Sequence, residues 1–297
     1  MKIFFNYFIF PGMLFALAAG ILASWIERKV TARVQWRVGP PLLQPLYDIL
    51  KLFIKENVIP ENASTMTFVL APVISFAVAA LVATFAGLPA FYPSSGFSGD
   101  IFVVMYLLMI PSLALIMGGA ASANPLASLG SSREMKLILS YELVFWISIA
   151  VVIVKTGGTI SIAGIMSHTT APQALSPSGA IAFILALLSM QAKLGRVPFD
   201  VAEAETEITS GPYIEYSGPL LGFFKMSQYI LLVALPLFVS EVFLGRANVV
   251  KYVVLLVVIV LIENTNPRLK ITQCLKLFWF ILSPLCIIAL ILALAGL

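Results

Sequence analysis

A chain of 297 residues that is 60% hydrophobic and only 11% charged, with mean hydropathy +1.02, falls outside the soluble class, where about 25% of residues are charged. Apolar runs recur along the whole length, and each bilayer span needs about 20 such residues. The sequence therefore reads as an all-α integral membrane protein, one polytopic domain over residues 1–297. The net charge of +4 comes from dispersed basic residues, which fits membrane orientation and excludes a nucleic-acid surface.

Eight transmembrane helices are predicted, at about 3–26, 66–89, 100–122, 133–155, 177–195, 217–243, 247–264 and 272–296. The first lacks a small-residue cleavage site after a short apolar core, so it reads as a retained helix. Pro11-Gly12, Pro111 and Pro236 fall inside spans and predict kinks. Segments 87–99 and 156–176 read as loops, the second holding the single histidine, His168, which cannot ligate a haem alone. Cys274 and Cys286 do not form a C-x-x-C pair, which argues against a metal or cluster site in this chain. No internal repeat is visible, which disfavours an inverted-repeat transporter.

Orientation follows from Lys and Arg. Thirteen of them lie after predicted helices 1, 3, 5 and 7, against four on the other side, with Lys225 inside helix 6. The positive-inside rule then puts the charged loops in the cytoplasm and both termini outside.

On that charged side, Glu27, Arg28 and Lys29 follow the first helix, and Arg33, Gln35 and Arg37 continue away from its end. Headgroup anchoring is enough to explain Arg28 and Lys29, and less so the rest. Residues 41–57 then read as an amphipathic helix: Gln44, Asp48, Lys51 and Lys55 share one face, Leu42, Leu46, Ile49, Leu50 and Phe53 cover the other, and Asp48 pairs with Lys51. Ser131-Ser-Arg-Glu134 reads as a capping box opening the fourth span. Glu142 would lie about 12 Å deeper at 1.5 Å per residue. Its partner must come from another helix, and it is the first candidate for carrying a proton; the competing reading is a structural hydrogen bond.

The densest signal is the loop at about 196–216. It gathers Asp200, Glu203, Glu205, Glu207 and Glu215, five of the fourteen acidic residues, between two spans. A solvated loop is the ordinary explanation, but Pro198, Phe199, Tyr213, Ile214 and Tyr216 interleave with the acids and suggest a packed one. Carboxylates held at a membrane are costly and mark ion or proton handling. Asp200 with Glu203 reads as a second capping box, placing Glu203 and Glu207 on one face of a short helix with Glu205 opposite, where the first two could share a proton.

Together these stretches resemble one family. Glu27-Arg-Lys with Gln35-Trp-Arg-Val-Gly-Pro40, Asp48-x-x-Lys51, Ser132-Arg-Glu134 with Tyr141-Glu142, and Arg196-Val-Pro-Phe-Asp-x-x-Glu-x-Glu-x-Glu207 with Glu215-Tyr-Ser-Gly218 are similar to the H-subunit (mitochondrial subunit 1) family of respiratory complex I. The match runs in order over nearly the whole chain. Gly130-Ser-Ser-Arg-Glu134, the spacing from Gly39 to Lys51, and Ile262-Glu-Asn-Thr-Asn-Pro-Arg-Leu-Lys270 are closer to the energy-converting, membrane-bound [NiFe] hydrogenases and related sulfane-sulfur reductases.

The resemblance implies eight spans, an amphipathic helix on the cytoplasmic side and a cell-membrane location. It implies a non-catalytic subunit of an oxidoreductase complex, with no cofactor of its own. Its partners would be the peripheral redox subunits, an iron–sulfur subunit and a large catalytic subunit, together with antiporter-like and small membrane subunits. Iron–sulfur clusters and, in the hydrogenase branch, a nickel–iron centre would sit in those partners. Glu142, Glu203, Glu205, Glu207, Asp200, Glu215 and Glu134 would line or shape a pathway for protons or sodium. Glu27, Arg28, Arg33, Arg37, Asp48, Lys51, Arg133 and Arg196 would face the peripheral arm. In quinone-reducing relatives the same cavity admits quinone. A stand-alone ion transporter is the competing class; it fits the buried acids but not the absent repeats or the large basic face.

Overall fold

The computed structural model describes residues 2–92, 96–168 and 172–297, without the side chains of Lys2, His168, Glu205 and Thr206. The described residues are helical and contain no strand. In chain order the α-helices are α1 Lys2–Phe8, α2 Met13–Val34, α3 Gln44–Ile54, α4 Thr65–Phe91, α5 Asp100–Ala121, α6 Pro125–Lys155 and α7 Ile162–His168. They continue with α8 Pro177–Lys193, α9 Glu205–Ile208, α10 Gly218–Leu244, α11 Val249–Thr265, α12 Ile271–Lys276 and α13 Ser283–Leu294. A π-helical stretch, Leu277–Leu282, joins the last two into one rod.

Six helical segments are long and apolar enough to cross a membrane: Ile3–Val34, α4, α5, α6, α10 and Ile271–Leu294. The other two predicted spans correspond to α8 and α11, each 17 residues. At 1.5 Å per residue that is about 26 Å, just under the ~30 Å hydrocarbon thickness. The structure thus gives six spans by length and composition, where eight are expected from the sequence.

Helix α10 is the central element. Of its apolar window, 78% is buried, because α2, α3, α4, α8 and α11 all pack around it. The largest core cluster includes Ala80 of α4, Val104 of α5, Phe145 of α6, Ala186 of α8 and Phe238 of α10. Small residues at α4 and α8 let the helices approach closely, as in membrane bundles generally.

Several boundaries differ from the sequence expectation, each for a local reason. The first span is broken near Pro11-Gly12 and then continues to Val34, so Glu27, Arg28 and Arg33 lie on the helix rather than after it. Helix α6 starts at Pro125, not 133: Asn124 accepts a hydrogen bond from Leu126 N at 2.8 Å, and Pro125 occupies the first turn, where its missing N–H costs nothing. The Ser131–Glu134 capping box is therefore not a cap, and Arg133 and Glu134 are interior helix positions. Helix α4 runs to Phe91, shortening the loop predicted from Gly87. The predicted loop at 156–176 contains α7 and a 3-10 turn at Gln173–Leu175.

The acidic segment is not a solvated loop. Its 3-10 turn, Gly211–Tyr213, wedges between α5 and α6. Gly130 of α6 makes room for it: a Cβ there would stand 2.6 Å from Pro212 Cδ and 2.9 Å from Gly211 Cα. Tyr216 closes the segment by donating to Phe68 O at 3.0 Å and stacking on the Phe68 ring at 4.1 Å. Glu215 accepts from Asn124 Nδ2 at 2.5 Å, tying the loop to the start of α6. A larger side chain at 130 has to push the wedge out. Gly130→Leu is expected to lower stability by about 1–3 kcal/mol through overpacking. Limited trypsin treatment of the detergent-solubilised protein should then cut after Arg196, a site that stays protected in the parent.

Candidate functional site

The site lies at the charged end of the bundle, under the acidic segment. Its first component is set by how α8 ends. Leu194 and Gly195 close the helix with two bonds, Gly195 N to Ala192 O at 3.0 Å and Arg196 N to Gln191 O at 3.1 Å, the Schellman arrangement. Gly195 takes φ +62°, which favours glycine. The turn leaves Lys193 pointing into the bundle and swings Arg196 back across it.

Lys193 meets Glu142. The ammonium donates to Glu142 Oε1, with the two side chains 3% and 9% exposed. The rings of Tyr141 and Phe145 flank the ammonium at 5.3 and 5.2 Å. The partner required for Glu142 thus comes from α8, a residue that belongs to the predicted cytoplasmic cations in sequence but is buried in the fold. Glu142 Oε2 has no hydrogen-bond partner. Removing one member of such a pair leaves a buried charge unpaired, at a cost of about 3–5 kcal/mol.

Arg196 meets Glu27 at 2.9 Å. Glu27 is only 6% exposed, and Arg196 is half-buried, so neither is free on the surface. Between the two ion pairs lies a cavity of about 50 Å³ lined by Glu134, Lys193, Arg196, Asp200, Glu203 and Gln228, among others. Glu134 neighbours Ser112, Glu203 and Lys193 within it. Gln228 Nε2 donates to Tyr213 Oη at 3.0 Å and to Glu203 Oε1 at 3.4 Å. Lys225 donates to Gln228 Oε1 at 3.2 Å and stands 5.5 Å from the Tyr213 ring centroid. Burial holds the Glu203 carboxyl above its usual range, against the pull of Lys225 and Arg196. Asp200 is also raised by burial, opposed by Arg268, whose Nε lies 2.7 Å from Asp200 Oδ2.

These contacts redraw the predicted acidic helix. Asp200 to Glu203 form turns, and α9 comprises only Glu205–Ile208. No Asp200–Glu203 capping box is formed; Ala204 occupies the N-cap position. Glu203 and Glu207 do not share a helix face: Glu203 turns into the cavity, while Glu207 is 52% exposed and pairs with Arg133 at 2.6 Å. The side chain of Glu205 lies outside the described residues.

The predicted docking residues divide. Arg28 pairs with Asp48 at 2.6 Å and donates to Tyr229 Oη at 3.2 Å. Asp48 accepts from Gln44 as well, at 3.0 Å, so its partners are Arg28 and Gln44 rather than Lys51. Arg33, Arg37 and Lys51 are exposed. Helix α3 covers Gln44–Ile54, inside the predicted 41–57, with Ile49 packed against Met226 and Tyr229 of α10. Leu42, Leu50, Phe53 and Ile54 remain open.

Sequence reasoning did not single out Lys193, Gln228, Lys225 or Glu263, and read Tyr213 only as a packing residue of the acidic segment. Lys225 carried a visible signal, a cation inside an apolar span with Gln228 three residues on. The others become recognisable only when distant helices meet. Among the described residues, no cluster of three or more His, Cys, Asp or Glu side chains could hold a metal. Cys274 and Cys286 are separately buried.

What the arrangement offers chemically is a series of acids and bases leading from Glu27 and Arg196, past Glu203 and Glu134, to Lys193 and Glu142 inside the bundle. Residues 7–294 match the family described as NADH dehydrogenase. The H-subunit of the NADH-quinone oxidoreductase of Thermomicrobium roseum is 33% identical, with 91% of this chain and 89% of that one aligned. The corresponding chain of a Geobacillus species is also 33% identical, over 95% and 92% of the two chains. Among solved structures, a chain of the membrane-bound sulfane sulfur reductase, an archaeal respiratory membrane complex, superposes with a TM-score of 0.89 at 25% identity, covering 99% of this chain and 100% of that one. With nearly its whole length matched, this chain belongs to the NADH dehydrogenase family, alongside the H-subunits of the NADH-quinone oxidoreductases.

Proposed function

We propose that this chain is the membrane subunit of an energy-converting oxidoreductase related to complex I. It docks a peripheral redox arm and couples electron transfer to proton or sodium movement. The observation that carries this reading is the buried Lys193–Glu142 pair at the end of a cavity lined by Glu134 and Glu203. Full charges inside an apolar bundle are costly and tend to be retained for ion handling. An anchor subunit would need none of them.

The chain has eight spans in this reading, with α8 and α11 tilting little and matching a slightly thin bilayer. Helix α3 lies along the cytoplasmic interface, its open face of Leu50, Phe53 and Ile54, with Leu42 just before it, against lipid. The complex is of the membrane-bound hydrogenase type or its sulfane-sulfur-reducing equivalent. The full-length likeness to a chain of the sulfane sulfur reductase supports the second. A redox event in the arm shifts the acidic segment, which is tied to α6 by Glu215–Asn124 and to the α11–α12 linker by Asp200–Arg268. That shift changes whether Glu203 and Glu134 exchange protons with Lys193 and Glu142. A stand-alone transporter would work without partners, so ion transport by the isolated chain in vesicles would favour that class instead.

Coupling is tested in the assembled complex, reconstituted in vesicles. Glu142→Gln cannot carry a proton and is expected to abolish ion pumping per electron. Because it strands Lys193, the paired variant Glu142→Gln/Lys193→Met should assemble where the single one is weak, and it should still fail to pump. Pumping by the paired variant at the parental ion-to-electron ratio sinks the relay.

Topology follows from the charge distribution. Cysteines introduced at Met1 and Leu297 should react with an impermeant reagent added to intact cells, and one at Glu205 should not. The reverse pattern would invert the orientation.

Docking is expected to rest on Arg33 and Arg37, since Arg28 is already engaged by Asp48. Guanidinium groups suit bidentate pairing with carboxylates of a partner. Arg33→Glu/Arg37→Glu should insert normally and lose the soluble redox subunits during purification. Recovery of the whole complex at parental stoichiometry would leave these residues as headgroup anchors.

A further inference from the structure

We infer that Glu241 is a proton-binding site in the half of the bundle opposite the charged face, and that with Asp100 it hands protons to the exterior. This rests on the coupling reading above, in which protons enter at the charged face, and adds a place where they leave. Glu241 lies three residues before the end of α10. It stands about 20 Å along that helix from Gln228 of the inner cavity, at ~1.5 Å per residue.

The Glu241 side chain is fully buried, and neither of its carboxyl oxygens has a hydrogen-bond partner. Glu142, by contrast, has Lys193. No cation answers Glu241 from the helices packed around it. Helix α4 carries no charged residue, α7 holds only His168, and the one cation of α8 is Lys193, at the other end. Helix α5 brings Asp100, a second acid. The basic side chains described at this end are used elsewhere or face out. Lys155 donates to Ser176 and Ser178, Lys251 donates to Leu244 O and Arg246 O, and Arg246 is exposed. A carboxyl buried among apolar side chains without a counter-charge keeps its proton.

The ligand set suits a proton better than a metal cation. Hard cations such as calcium take about six or more oxygens. Here there are two carboxyls, and Asp100 is already committed: Oδ1 accepts from Ile162 N at 2.7 Å, and Oδ2 faces Ser161 Oγ at 3.5 Å. Asp100 also provides the way out. It opens α5 and is buried under the turn at 96–99, where a Cβ on Gly96 would stand 3.2 Å from Asp100 Oδ2. Phe97 and Ser98 of the same turn are exposed. In the topology proposed above, a single turn thus separates Asp100 from the exterior. The Glu241 proton passes to the Asp100 carboxylate and leaves Glu241 as the anion. Water at the turn then takes the proton from Asp100, and the protons moved by the complex reload Glu241.

The test uses the assembled complex. In detergent, the infrared spectrum of the parent minus that of Glu241→Gln should contain the carbonyl band of a protonated carboxylic acid; a difference spectrum without it overturns the site. Asp100→Asn keeps an acceptor for Ile162 N but cannot carry a proton. In proteoliposomes, Glu241→Gln and Asp100→Asn should each slow turnover-driven proton release by about 10²-fold, the lower end of what a positioned acid–base group supplies. Glu241→Leu removes a buried polar group that bonds to nothing, so it should assemble at least as well as the parent and release protons as slowly as Glu241→Gln. Failure of the leucine variant to assemble makes Glu241 a structural residue and overturns the site, as does parental release by either Glu241 variant. If Glu142→Gln/Lys193→Met stops pumping and the Glu241 variants pump normally, the release site falls alone. If all of them pump normally, the coupling reading falls with it.

Discussion

The Lys193–Glu142 pair sets the terms for the rest of the structure. Two full charges sit among Tyr141, Phe145 and the core of the bundle, where each would be untenable alone. Their meeting fixes α8 against α6. It also fixes the turn at Gly195, because only a helix ending there can place Lys193 inside and send Arg196 back to Glu27. The acidic segment that follows has to start from that point, which is why it lies over the cavity rather than out in solvent.

The segment is held by many different contacts rather than by one strong one. Pro212 fills the notch left by Gly130, Phe199 packs on Phe278, Tyr216 stacks on Phe68, and Arg268 holds Asp200. Each contact reaches a different element. A movement of the segment therefore reaches α4, α5, α6 and the α11–α12 linker together. Such a shared hinge is a suitable carrier for a two-state signal, because packed interfaces switch between discrete arrangements more readily than they deform continuously. The polar chambers beneath it share walls through Arg196, Gln228, Glu203 and Lys225, so a movement of the segment touches several ionisable groups at once.

Charge is also partitioned by reach. Arg28, Arg133, Arg196 and Arg268 each find a carboxylate within the chain, at 2.6 to 2.9 Å. Arg33, Arg37 and Lys51 stay exposed. All seven look alike in sequence, as one basic side. In the fold the first group braces loops and helices, and the second is left without a carboxylate partner among the described residues.

Much of this protein was legible in its sequence. Long apolar runs dictated a helical membrane bundle, because a backbone in lipid has to satisfy its own hydrogen bonds. The density of acids between Arg196 and Gly218 drew attention to the segment that covers the cavity, and the apolar residues interleaved with them marked it as packed. The need for a distant partner at Glu142 followed from its depth alone. The capping signals misled at both Ser131–Glu134 and Asp200–Glu203, because a capping pattern is a local preference. At the first, Asn124 with Pro125 starts the helix a full two turns earlier; at the second, burial of Glu203 and the wedge at Gly211–Tyr213 override it. Only the tertiary structure decided that Lys193 is the partner of Glu142, that Glu203 faces inward while Glu207 faces out, and that Glu27, Arg196 and Glu263 wall one chamber. Those contacts join residues scores of positions apart in the chain, and their geometry depends on helix packing angles that no spacing in the sequence encodes.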